Sequence, residues 1–154
     1  MATRSTIAYK TAEGKIVAIY CHWDGYPAGV GKTLQENYQA AYKIGKLIHM
    51  GDVSSLGAEI GEQQDFDDRS TQKDEWTLFY GRDRGEVDVG CKEFETIAEW
   101  MEHYDWSDYY YLWNGREWLV NARGDTDANN FPVFDLLEVK VEQEVKRLKA
   151  QGYL

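Results

Sequence analysis

Tyr109-Tyr110-Tyr111-Leu112-Trp113-Asn114-Gly115-Arg116-Glu117-Trp118-Leu119-Val120 places an Asn-Gly pair between two runs of aromatic and aliphatic residues. Such runs suit a pleated strand, and Asn-Gly suits the tight type I′ turn of a β-hairpin. A two-residue turn at Asn114-Gly115 predicts that Trp113 pairs with Arg116 and Tyr111 with Trp118, all four on one face. The opposite face carries Tyr110, Leu112 and Leu119. Both faces are apolar, so one covers the core and the other needs a helix or a partner.

Working outward, residues 7–10 and 16–23 read as two more strands joined by Thr11-Ala12-Glu13-Gly14. A further strand is predicted over 76–80. Leu34, Tyr38, Ala41, Gly45 and Ile48 recur at helical spacing, which predicts one amphipathic helix over 34–49, ended by Gly51. Gly45 inside it predicts close packing against another element. Phe94, Ile97 and Met101 mark a short helix. Phe134, Leu137, Val141, Val145 and Leu148 form a narrow seam on a helix over 134–150. That seam packs on the sheet, the more ordinary outcome, or joins a second copy in a homodimer. Residues 51–75 read as irregular, and so long a loop is usually functional or mobile. The expected fold is α+β: one domain over 1–154, a small antiparallel sheet built from hairpins, with about three helices packed on one face.

The chain has 154 residues and a net charge of −10. Residues 1–50 sum to +3, residues 51–135 to −14 and residues 136–154 to +1. This disfavours direct DNA binding, which needs a basic footprint. The acidic block either keeps the chain soluble or meets a basic partner, in the extreme as a mimic of DNA. No apolar run is long enough to span a membrane, and the first residues lack the apolar core of a secretory signal. Cys21 and Cys91 form no CxxC pattern, which predicts free thiols in a cytoplasmic protein.

His22-Trp23-Asp24-Gly25-Tyr26-Pro27-Ala28-Gly29-Val30-Gly31-Lys32-Thr33 links a predicted strand to a predicted helix. Gly31-Lys32-Thr33 imitates the end of a phosphate-binding P-loop, but Tyr26 stands where the first glycine belongs. Nucleoside-triphosphate hydrolysis is therefore not expected. Thr33 and Glu36 fit a capping box. The turn still suits an anion: N–H groups around Gly29, Gly31 and Thr33 to donate to phosphate, with Lys32 as a point charge. Trp23 or Tyr26 would stack a base. Arg82 and Arg84, in Tyr80-Gly81-Arg82-Asp83-Arg84-Gly85-Glu86, would grip a phosphate bidentately, although each also reads as part of a self-neutralising surface turn. His22, His49 and His103 are scattered, no pair has zinc-ligand spacing, and no serine or cysteine has an evident base. No catalytic residue, metal or cofactor is expected.

Ala2-Thr3-Arg4-Ser5-Thr6-Ile7, Tyr20-Cys21-His22-Trp23-Asp24-Gly25-Tyr26-Pro27, Gly51-Asp52-Val53-Ser54-Ser55-Leu56-Gly57 and the Tyr80–Glu86 block span roughly the first 90 residues. Together they resemble a group of small, largely uncharacterised accessory proteins of tailed bacteriophages and prophages. The resemblance implies a protein that acts by binding, in counter-defence inside the host cytoplasm. The sharpest expectation is sequestration of a nucleotide-derived immune signal without turnover. The alternatives are an acidic inhibitor of a host defence or nucleic-acid-binding protein, and a small nucleotide hydrolase.

Overall fold

The computed structural model describes residues 2–154; Met1 lies outside the described residues. β1 (Ser5–Lys10) and β2 (Ile16–Cys21) form the expected hairpin, with Lys10 opposite Ile16 and Ser5 opposite Cys21. Its turn is closed by the Thr11 N–H donating to the Lys15 carbonyl at 2.8 Å. The Thr11 hydroxyl oxygen in return accepts the Lys15 N–H at 3.0 Å.

The aromatic segment forms the second hairpin, from strands we number β6 (Tyr109–Trp113) and β7 (Trp118–Ala122), in a register other than the predicted one. Trp113 faces Trp118, and Tyr111 faces Val120. A type I′ turn needs positive φ at both central residues, and here Gly115 alone adopts it, at +100°. Asn114 instead turns its side-chain oxygen onto the N–H groups of Arg116 and Glu117, each at 2.9 Å. The result is a four-residue loop that puts both tryptophans on the same face.

Four shorter strands complete the sheet: β3 (Val53–Ser55), β4 (Leu78–Phe79), β5 (Lys92–Phe94) and β8 (Asp135–Leu136). The eight-stranded order is β4-β3-β2-β1-β6-β7-β8, with β5 also paired to β2. The fold is α+β, but the sheet is larger than expected and mixed rather than antiparallel. β1 runs parallel to β6, and β2 parallel to β3. Each parallel pair joins remote segments, which no local turn announces.

Five helices pack on it: α1 (Lys32–Asn37), α2 (Ala41–His49), α3 (Tyr80–Arg84), α4 (Ile97–His103) and α5 (Leu137–Ala150). They cover both faces, not one, because the central strands are apolar on both. Ile7, Ile19, Tyr111 and Trp118 pack with Leu34, Leu47, Ile48, Leu137 and Val141 of α1, α2 and α5. Ala8, Ala18, Tyr110 and Leu112 pack on the other side with Trp100 of α4 and Tyr104 after it. Leu137, Val141 and Val145 of the α5 seam pack within the chain, and Phe134, which precedes the helix, joins the second core and stacks near Trp100. Buried aromatics keep partners for their polar tips. Trp100 donates to Thr6 Oγ1 at 3.0 Å, and Trp118 to the Tyr38 carbonyl at 2.7 Å.

That last bond explains why the predicted helix over 34–49 is two. Tyr38 leaves helical geometry, gives its carbonyl to Trp118, and donates its hydroxyl to the Gly57 carbonyl at 2.7 Å. Gly45 has open space where a Cβ would stand, so the expected close packing is absent. Gly45→Ala should therefore stabilise the protein by about 0.5–1 kcal/mol in a denaturant titration. Asp52, partly buried, accepts the Tyr20 N–H at 2.9 Å, and burial raises its carboxyl above the ordinary 3.8. A raised carboxyl favours the folded state below its ordinary pKa and loses that contribution as pH rises through the raised value. Asp52→Asn keeps the acceptor without the charge. It should raise the melting temperature at pH 7 and leave it nearly unchanged at pH 3.

Candidate functional site

The glycine-rich segment folds as a wide π-helical turn, Pro27–Gly31, that runs directly into α1. Gly31 already has helical angles (φ −56°, ψ −50°), so no extended residue precedes the helix and Thr33 does not cap it. The Thr33 hydroxyl instead donates back to the Gly29 carbonyl at 3.2 Å. The N–H groups expected to hold phosphate are largely in use. Val30 donates to the Asp24 carbonyl at 2.8 Å and Gly29 to the Tyr26 carbonyl at 2.9 Å. Ala28 donates to the carboxylate of Glu144 from α5, so an internal anion already occupies the start of the turn. Two of its glycines answer packing needs. A Cβ on Gly31 would meet Leu137 Cδ1 at 3.0 Å and the Tyr111 hydroxyl at 3.2 Å. One on Gly29 would strike the Asp24 carbonyl.

The concave surface lies beside the turn, at the carboxyl ends of the parallel pair β2 and β3. Trp23, Asp24, Ser54, Ser55, Phe66, Arg69, Gln72 and Leu78 line a groove of about 430 Å³. A smaller recess of about 170 Å³ continues it along the turn, past Ala28, Gly29, Val30 and Thr33. Trp23 is 45% exposed at the strand end, its N–H held by the Ser54 carbonyl at 3.0 Å. Asp24 adopts a left-handed backbone (φ 57°), a conformation aspartate tolerates better than most side chains, and lines both recesses. The far wall comes from residues 64–72, within the segment read from sequence as an irregular loop. Phe66 rests against Tyr80, with ring centroids 5.6 Å apart. Arg69 opens a 3-10 turn (Arg69–Thr71) whose start is capped by Asp68, and its side chain forms no ion pair among the described residues.

Of the residues singled out in the sequence, Trp23, Gly29 and Thr33 meet in this surface. Tyr26 is at its margin, 36% exposed and packed beside Gly29, its hydroxyl raised by burial and by the nearby Asp24 charge. Lys32 is exposed on α1 and lines neither recess. Arg84 stacks behind the groove on the Phe66 ring at 5.0 Å and pairs with Glu86 at 3.5 Å. Arg82 turns inward. Its guanidinium forks onto Asp83 at 2.9 and 3.1 Å and donates to the carbonyls of Ile60, Gly61 and Thr77. It therefore holds the fold and has no free edge for a phosphate. Sequence reasoning missed Phe66, Arg69 and Gln72. Their one signal was a lone aromatic and a lone cation inside an acidic polar run.

Both cysteines are free. Cys21, buried under Trp23, has its thiol pushed up to about 12 by burial and donates to the Trp23 carbonyl at 3.8 Å. Cys91 is partly exposed and sits 3.7 Å from His49 Nδ1. In the native protein an alkylating reagent at pH 8 should label Cys91 first and spare Cys21 until unfolding, as read by peptide mass spectrometry. Among the described residues no three His, Cys, Asp or Glu side chains are grouped to hold a metal, and no helix is long and apolar enough to cross a membrane. Comparison of the chain with protein-family models, curated proteins and solved structures finds no match.

Proposed function

We propose that this protein binds a nucleotide-type ligand without turning it over, as a phage-type accessory protein that sequesters a nucleotide-derived defence signal in the host cytoplasm. One observation carries the reading: two aromatic side chains and an unpaired arginine line a single groove, beside serine, glutamine and aspartate hydrogen-bonding groups. Its volume of about 430 Å³ falls within the ordinary range for small-molecule sites. Trp23 and Phe66 offer faces for a base, Asp24, Ser55 and Gln72 suit ribose hydroxyls, and Arg69 suits a phosphate. The test is a thermal-shift panel of cyclic, linear and ADP-ribose-type nucleotides. A ligand at a hundred times its dissociation constant adds about 2.7 kcal/mol of stability. A panel without any shift would end this reading.

The acidic-inhibitor reading has its own support. Glu62, Asp65, Asp67, Asp68, Asp74 and Glu75 are all exposed over residues 62–75, the stretch that includes the groove's far wall. A basic protein partner docking there would lose affinity steeply with salt, whereas a small ligand enclosed in the groove would lose little.

A further inference from the structure

A second cavity opens at the same end of the sheet and shares no lining residue with the groove. It measures about 470 Å³ and is lined by Ala2, Arg4, His22, Asp108 and Arg123. Arg4 precedes β1, His22 follows β2, Asp108 precedes β6 and Arg123 follows β7, so the sheet gathers them from four strand ends. Two guanidinium groups converge on one acceptor. Arg123 Nη1 donates to the Trp106 carbonyl at 3.2 Å, and Arg4 Nη2 reaches the same oxygen at 3.5 Å. The Arg4 guanidinium lies 4.7 Å from the centre of the Trp106 ring, which fixes its plane. Asp108 is the one carboxylate lining the cavity. It accepts the Arg4 backbone N–H at 3.0 Å and sits 3.6 Å from Arg123 Nη2. His22 is oriented by the Tyr20 hydroxyl on Nδ1, and its Nε2 has no partner among the described residues.

Two guanidinium charges face one carboxylate, in a chain whose net charge is −10. Each guanidinium carries five donors, most of them unused here. Asp108 offsets one of the two charges, and no second carboxylate lines the cavity to offset the other. We propose that this cavity is a binding site for a small phosphate-bearing anion, with Arg4 and Arg123 as the two forks and His22 as a third donor. The forked donors suit a tetrahedral oxyanion with several terminal oxygens. A long nucleic acid is disfavoured by the charge of the chain as a whole.

Calorimetric titration with inorganic phosphate, pyrophosphate and a 5′-nucleotide tests this, with the His22 ring followed by NMR. Saturable binding of at least one probe, with the His22 signals moving, is expected. Arg123→Gln should weaken it by about tenfold or more, and Arg123→Lys by less. Arg116→Gln, at the exposed hairpin tip, should leave it unchanged. Arg123 is itself largely exposed, so its variants are expected to fold. Tighter binding of the nucleotide, where Arg123→Gln weakens it, marks an ester as the occupant, and equal affinities mark a free oxyanion. The proposal is overturned by an absence of binding to all three probes. Unchanged affinity in Arg123→Gln, or an equal loss in Arg116→Gln, would overturn it too.

Discussion

Asp83→Ala should lower stability by about 3–5 kcal/mol, the range for breaking a buried ion pair from one side. The Asp83 side chain is fully buried, and its carboxylate has four donors. Oδ1 accepts the Gln64 N–H at 2.7 Å and Arg82 Nε at 2.9 Å. Oδ2 accepts the Phe79 N–H at 2.7 Å and Arg82 Nη2 at 3.1 Å. Alanine leaves two backbone N–H groups without an acceptor and a nearly buried guanidinium without its counter-charge, and water cannot readily replace the carboxylate. Denaturant titration measures the loss. Arg84→Gln, which breaks an exposed pair, should change stability by less than about 1 kcal/mol. A loss below about 1 kcal/mol in Asp83→Ala would show that the clasp does not hold the fold.

The second large effect concerns binding. Trp23→Ala combined with Arg69→Gln should weaken a nucleotide-type ligand by about a hundredfold or more. Stacking on an aromatic is worth about 1–3 kcal/mol per base, and a hydrogen bond to a charged group about 1.5–3 kcal/mol. Both side chains are exposed, so the melting temperature should hardly move. The sequence alone directs this test to Lys32 and Arg84. The geometry redirects it, because Lys32 lies off the groove and Arg84 acts on it only through the Phe66 ring. Lys32→Gln should leave affinity unchanged. Equal affinity in the Trp23/Arg69 double variant would place the ligand elsewhere.

The strands of both hairpins were legible because their signals are local: alternation along each run and a turn residue between them. The second hairpin's register was not, since Asn-Gly admits more than one loop and the choice fell to Trp118, whose indole seeks the Tyr38 carbonyl. That same long-range bond divides the helix expected over 34–49. Cover on both faces of the sheet was implicit in the two apolar faces of the second hairpin. The parallel pairings were not, because each joins segments far apart in the chain.

Of the groove's lining, Trp23 alone was singled out in the sequence. Trp23 announced itself as a large aromatic in a strand-to-helix turn. Phe66, Arg69 and Gln72 lie in a segment without hydrophobic period, and it reaches the groove only because the Arg82–Asp83 clasp anchors residues 60–64 beneath it. The adjacent Arg-Asp pair looked like a self-neutralising surface turn. Burial, which sequence does not display, turns it into a structural tie.

The most direct test of nucleotide sequestration is mass spectrometry of small molecules released by heat from protein purified out of cells producing nucleotide immune signals. Intact nucleotide released in about equal amount to the wild-type protein, and missing from the Trp23/Arg69 double variant, is the result expected. No released nucleotide from the wild type, or only its hydrolysis products, would contradict sequestration without turnover.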